Sequence, residues 1–207
     1  MVVKSPINLL ETLVHLSLLL EQAEGFASVV ASLQAGHGAT VDGAWGSAAA
    51  LLAASLERHA PSAVLVVIAH PGDLNAWTDD LTSFTGIPPE VFPAWDNLST
   101  PDTPLDEIAA RRSRLLRRLG APSPPRLVLA SIQALIQPVP DCQQLDAHRR
   151  IIRAGELIAP DELSAWLLDH GFRRGDAVEL PGEFARRGGI FDLFPPDADA
   201  PFRLEFF

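Results

Sequence analysis

The sequence is short of two residue types that many functional sites are built from. Cys142 is its one cysteine and Lys4 its one lysine among 207 residues. A single thiol excludes an internal disulfide and any metal site made of several cysteines, and it suits a reducing, cytoplasmic setting. Apolar runs of membrane length are also missing. Leu16 to Leu20 is apolar, but Glu11, His15, Glu21 and Glu24 surround it, so neither a leader peptide nor a spanning helix is read there. Positive charge is scarce: 16 basic residues face 26 acidic ones, a formal charge of −10. That balance argues against a general affinity for phosphate backbones, since such binding is driven by counterions displaced around clustered Lys and Arg. No Gly-x-Gly-x-x-Gly occurs, so the fingerprint of a dinucleotide-binding domain is absent.

What is abundant is apolar surface. At 47% of the residues it is enough, over this length, to bury a core. Leu9, Leu10, Leu13, Leu16 and Leu20, then Phe26, Val29, Val30 and Leu33, recur at helical spacing and predict two helices, the second ended by Gly36. Ala63 to Ala69 is a continuous apolar run of the kind found in strands buried on both faces of a parallel sheet. His70-Pro71-Gly72-Asp73 closes it, and Leu74, Trp77, Leu81 and Phe84 continue as a helix. His70 lies at the strand's carboxyl end, where ligand loops of such sheets lie, but its place before Pro-Gly reads as a turn. Val91 to Asp96 is a short strand ending in an aromatic. Asp106 to Leu119 predicts a helix with acid at its start and base at its end, as the helix dipole prefers. Its Arg111, Arg112, Arg114, Arg117 and Arg118 form the one dense basic cluster, read as a solvated face bridged to local carboxylates, with a contact to nucleic acid or an acidic partner as the alternative. Arg126 to Ala130 is another buried strand, and Ser131 to Ile136 a short helix.

From Pro138 onward the pattern changes from buried β-α units to short alternating strands. Two domains are therefore expected: residues 1–137, α/β with a mainly parallel sheet, and residues 138–207, a small α+β domain with antiparallel strands. In the second, Arg149 to Arg153 is a strand candidate and Pro160 to His170 a helix capped by Gly171. Gly188-Gly189 lets backbone approach closely or bulge, Ile190 to Phe194 favours a strand, and Pro195-Pro196 stops it. Asp197 to Pro201 is turn chemistry. Phe202 to Phe207 alternates, with Leu204 and Phe206 on one face and Arg203, Glu205 and Phe207 on the other.

Thr40-Val41-Asp42-Gly43-Ala44-Trp45-Gly46-Ser47-Ala48-Ala49-Ala50 has the rhythm of a strand, a glycine turn and a helix start, the arrangement that points free N–H groups at a phosphate. A working phosphate loop ends Gly-Lys-Ser/Thr, because the lysine holds the outer phosphates and the hydroxyl coordinates magnesium. Ala48, Ala49 and Ala50 stand in those places. Gly43, Gly46, Ser47 and the three alanines are read as a degenerate, non-functional P-loop, so this segment is expected to bind neither ATP nor magnesium and to hold no catalytic or metal site.

The run Gly182-Glu183-Phe184-Ala185-Arg186-Arg187-Gly188-Gly189-Ile190-Phe191-Asp192-Leu193-Phe194-Pro195, followed by Arg203-Leu204-Glu205-Phe206-Phe207, resembles the UvrB-homology module at the start of the bacterial transcription-repair coupling factors (Mfd). It is less closely similar to the excision-nuclease subunit UvrB. Phe92 to Asp96 and Ile108 to Arg112 extend the resemblance over most of the chain. It implies a RecA-like or UvrB-like fold, degenerate in its nucleotide site, followed by a domain that presents a strand pair to the damage-recognition ATPase UvrA. Carried over residue by residue, the docking residues are Arg187, Arg203 and Phe207, with Arg186 a lesser candidate. Guanidinium groups pair bidentately with carboxylates and an adjacent aromatic supplies a desolvated anchor, so an acidic partner surface is the expected match. The alternative is that these arginines pair with Glu179, Glu183 or Glu205 inside the sheet. The resemblance further implies an ATP-driven motor, contacts to RNA polymerase and DNA, and covering of the UvrA surface, all through domains beyond Phe207, where the chain is expected to be truncated. A UvrB-type ATP-dependent DNA-damage-binding subunit is the other reading. The lysine-free loop and the complete lack of tyrosine, which leaves no counterpart of UvrB's aromatic hairpin, oppose it.

Overall fold

The computed structural model describes residues 9–95, 107–141 and 149–207. Lys4, Asn8, Asp96, Asp106 and Cys142, named above, lie outside them. The chain divides into two compact units, residues 1–92 with 121–136, and residues 93–120 with 137–207.

The first unit is α/β. Helices α1 (Leu9–Leu20), α2 (Phe26–Gln34) and α3 (Ser47–Glu57) precede strand β1 (Val64–Ile68), helix α4 (Leu74–Thr85) and strand β2 (Glu90–Phe92). Strand β3 (Leu127–Ser131) then inserts between the other two, giving a parallel sheet of order β1-β3-β2, and runs into the short helix α6 (Ile132–Leu135). Central β3 is buried throughout. Its Leu127 and Leu129 join Val66, Ile68, Leu81, Phe84 and the small Ala50 and Ala54 in one core. The apolar run of β1 predicted burial on both faces, but Leu65 and Val67 are exposed. Among the described residues β1 is an edge strand paired with β3 alone, and its odd positions find less cover than those of β3. The extended segment expected at Thr40 to Asp42 pairs with no strand among the described residues.

The second unit holds α5 (Glu107–Leu119), α7 (Pro160–Asp169) and a four-stranded sheet of order β4-β5-β6-β7, formed by Arg173–Arg174, Glu183–Arg187, Ile190–Leu193 and Phe202–Glu205. Strands β5, β6 and β7 are antiparallel, and β4 adds to β5 in parallel. Leu163 and Leu167 of α7 pack with Phe184, Phe191 and Leu193 of the sheet, with Trp166, Leu204 and Phe206 at the margin. The strand expected at Arg149 to Arg153 does not form. Ile152 packs on this core instead, the Arg150 guanidinium pairs with Glu162 at 2.8 Å, and the Arg153 amide donates to the Glu156 carboxylate at 3.0 Å, which closes a local turn.

Helix α5 groups with the second unit because its arginines face that unit's loops. Arg114 pairs with Asp199 at 2.8 Å and donates to the Ala198 carbonyl; Arg117 pairs with Asp197 at 2.6 Å. The basic cluster is thus largely bridged to local acceptors. Arg112 is buried. It donates to the carbonyl of Pro93 at 2.7 Å and to the side chain of Gln137 at 3.3 Å, beneath the Trp95 ring, while Gln137 bonds the Trp95 backbone in both directions. Desolvation pulls its pKa below the usual arginine value.

Gly188-Gly189 makes a two-residue hairpin turn between β5 and β6. Gly188 has φ 62°, a conformation that primed hairpin turns assign to glycine. A Cβ on Gly189 would fall 2.8 Å from the Phe206 carbonyl oxygen, and the Phe206 amide donates to the Gly189 carbonyl at 2.8 Å. Gly189→Ala should therefore destabilise the second unit by about 1–3 kcal/mol through forced backbone displacement. Gly188→Asn, with open space around it and tolerance of positive φ, should cost under about 1 kcal/mol. Urea unfolding of the two variants checks the contrast. The same measurement on Arg112→Ala should show a loss of about 1–3 kcal/mol or more, from acceptors left unpaired in the interior, and Arg112→Lys should recover little because an ammonium lacks the planar fork.

Candidate docking face

Period-two alternation fixes what the sheet displays. Phe184, Phe191, Leu204 and Phe206 turn inward, so Ala185, Arg187, Ile190, Asp192, Arg203 and Glu205 occupy the opposite face. The register aligns Ala185, Asp192 and Arg203 in one cross-strand row and Arg187, Ile190 and Glu205 in the next. Arg187 and Arg203 therefore lie on one face, on strands either side of β6. Phe207 follows in the same alternation, just beyond β7.

Neither arginine pairs with Glu179, Glu183 or Glu205. Arg187 donates from Nη2 to the Asp176 carbonyl at 2.8 Å, and remains exposed. Arg203 forks onto Asp192, with Nε to Oδ1 at 2.6 Å and Nη2 to Oδ2 at 2.9 Å, while its side chain stays 60% exposed. The hydrogen bond from Arg203, reinforced by the charges of Arg203 and Arg187, holds the Asp192 carboxyl below the usual carboxylate range. A depressed value means that the pair is intact at neutral pH. It is lost only as acid carries the solution down through that lowered value. Glu183 serves the loop ahead of β5. Its Oε2 accepts from the amides of Glu179 and Leu180, both at 2.9 Å, and these bonds lower its pKa while closing that loop.

Arg186 points the other way. It shares the inward side of β5 with Phe184, lies 5.4 Å over the Phe191 ring and pairs with Asp161 of α7. It ties helix to sheet and does not join the row containing Arg187. Sequence reasoning missed Asp192 as the partner of Arg203. Its outward direction was readable from the flanking Phe191 and Leu193, but the pairing depends on the β6-β7 register, which the intervening loop conceals.

The segment ahead of α3 keeps the glycine turn expected there. Gly43 and Gly46 have φ 79° and 52°. The Ala48 amide donates back to Trp45 at 3.1 Å and the Ala49 amide to Gly46 at 3.0 Å, and Ala50 is buried in the core. Small side chains let this helix pack closely. Among the described residues no group of three His, Cys, Asp or Glu side chains is placed to hold a metal, and no helix is long and apolar enough to cross a membrane.

Residues 151–207, which hold α7 and the whole four-stranded sheet, match the family model of the UvrB interaction domain. Over 91% of its length the chain is 27% identical to the transcription-repair-coupling factor of Bacillus subtilis, and over 78% it is 33% identical to that of Escherichia coli. It is also 31% identical, over 88% of its length, to the Myxococcus xanthus protein of the same name. The chain spans only 16%, 14% and 16% of those three relatives. Residues 151–207 thus match the UvrB interaction domain, and most of the chain is similar to a segment of the transcription-repair-coupling factors.

Proposed function

We propose that this chain is the part of a transcription-repair coupling factor that docks UvrA, and that Arg187, Arg203 and Phe207 form the core of the docking face. The observation that carries the proposal is the placement of two exposed arginines, Arg187 and Arg203, with Phe207 next in the alternation, on one face of a sheet that matches the UvrB interaction domain. Two arginines on one face beside an aromatic suit an acidic protein surface, where bidentate pairing supplies orientation and the ring supplies the desolvated contact. In the whole cytoplasmic protein, this face would bring UvrA to lesions where RNA polymerase has stalled, with an ATP-driven, helicase-like motor and the contacts to polymerase and DNA supplied by other domains.

The same reading makes this segment a non-enzymatic interaction module that works without ATP, magnesium or a metal. What supports it is the loss of lysine and hydroxyl at Ala49 and Ala50 and the back-bonded amides of the first turn of α3. The compact α/β unit then serves as scaffold.

Calorimetric titration of UvrA with the chain should give saturable binding. Arg187→Ala, Arg203→Ala and Phe207→Ala should each weaken it by about tenfold or more, the range of interface hot spots. Arg186→Ala, from the other side of the sheet, should change it by less than about threefold; equal losses from Arg186 and Arg203 would point to general charge and not to this face. ATP added to the chain alone should give no saturable heat at micromolar concentrations, and an affinity in that range would restore the motor reading.

A further inference from the structure

A guanidinium has two edges on which it can grip a carboxylate with parallel hydrogen bonds, Nε with one Nη, or the two Nη atoms together. In Arg203 the first edge is taken: Asp192 accepts from Nε at 2.6 Å and from Nη2 at 2.9 Å. Among the described residues no bond is made from Nη1, and the side chain is 60% exposed. The second edge is therefore open while the first is clamped. Asp192 sits directly across from Arg203 in the strand register, and also feels the charge of Arg187 from the other neighbouring strand.

We propose that Asp192 is a positioning residue of the docking face, holding Arg203 by its Nε edge so that the Nη1–Nη2 edge is presented to a carboxylate of the partner. The inference rests on the reading of this face as the UvrA dock. An arginine on a strand surface ordinarily loses rotamer freedom when a partner captures it, and a clamp already formed in the free protein removes much of that cost. The clamp also neutralises part of the arginine charge, so the competing expectation is that Asp192 opposes the partner's carboxylate. Geometry favours the first: Asp192 takes the Nε–Nη2 edge, and the Nη1–Nη2 edge is the one it leaves to a partner carboxylate. The partner face must then offer a carboxylate at Arg203 and avoid a second acid directly above Asp192.

The test is a titration of UvrA with the chain and its Asp192→Asn, Arg203→Ala and doubly substituted variants, with thermal unfolding to confirm that each is folded. Asparagine keeps the size but cannot accept the paired fork on two oxygens. Asp192→Asn should weaken binding about 2–10-fold, the range set by immobilising one long side chain. In the Arg203→Ala background, it should cost nothing further, since the two act as one unit. Binding by Asp192→Asn equal to or tighter than the parent, or a doubly substituted chain showing the product of both losses, overturns the positioning role. An Arg203→Ala variant that binds like the parent defeats the docking reading itself, a separate outcome. A second measurement holds in either case: the Nε–H resonance of Arg203 should be protected from solvent exchange relative to that of exposed Arg111, and protection should vanish in Asp192→Asn. An Arg203 signal that exchanges as fast as Arg111 in the parent also overturns the proposal.

Discussion

The backbone approach at Gly189 governs the second unit. With no Cβ in the way, the Phe206 carbonyl comes against the turn and the Phe206 amide bonds back to Gly189, which sets where β7 lies along β6. Once that register is set, alternation does the rest. Phe191, Leu204 and Phe206 fall on the core side, and Asp192, Arg203 and Glu205 fall on the solvent side. A slip of one residue would exchange the two sets, burying charge and exposing phenylalanine, so the hydrophobic core and the displayed charges depend on a single alignment. The inward Phe184 and Phe191 and the leucines of α7 give that alignment its energetic weight.

Much of this was legible in the sequence. The shared face of Arg203 and Phe207 followed from period-two alternation, Arg187 came from the resemblance, and the helices α1, α2, α4 and α7 followed from the spacing of apolar residues. Cross-strand pairing was not legible. The partner of Arg203 sits 11 residues upstream, across a proline-rich loop, and nothing in the local pattern distinguishes Asp192 from Glu205 as its acceptor. The sequence misled in two places: the run Arg149 to Arg153 forms no strand, its Arg150 pairing with Glu162, and the edge position of β1 leaves Leu65 and Val67 with less cover than their composition suggested.

The two units show opposite fates of charge. In the first, the start of α3 carries no charge: small alanines serve close packing, and the Ala48 and Ala49 amides bond back to Trp45 and Gly46. In the second, arginine is plentiful and put to several uses. Arg112 fixes buried backbone, Arg114 and Arg117 fasten a loop, and Arg187 and Arg203 remain at the surface. Position within an element, and not residue type, decides among these uses. In the dense basic helix, read from the sequence as a face bridged to local carboxylates, two of the arginines are committed to the 197–199 turn.

That commitment bears on how the small sheet can be inherited or transplanted. The matched segment 151–207 is continuous in the chain, but the guanidiniums that clasp its 197–199 turn come from a helix 80 or more residues earlier. A gene fragment encoding the sheet alone would keep every displayed side chain and lose the brace behind the turn that leads into β7. Shuffling this module into another protein therefore requires either carrying the distant helix along or supplying two new donors for those carbonyls.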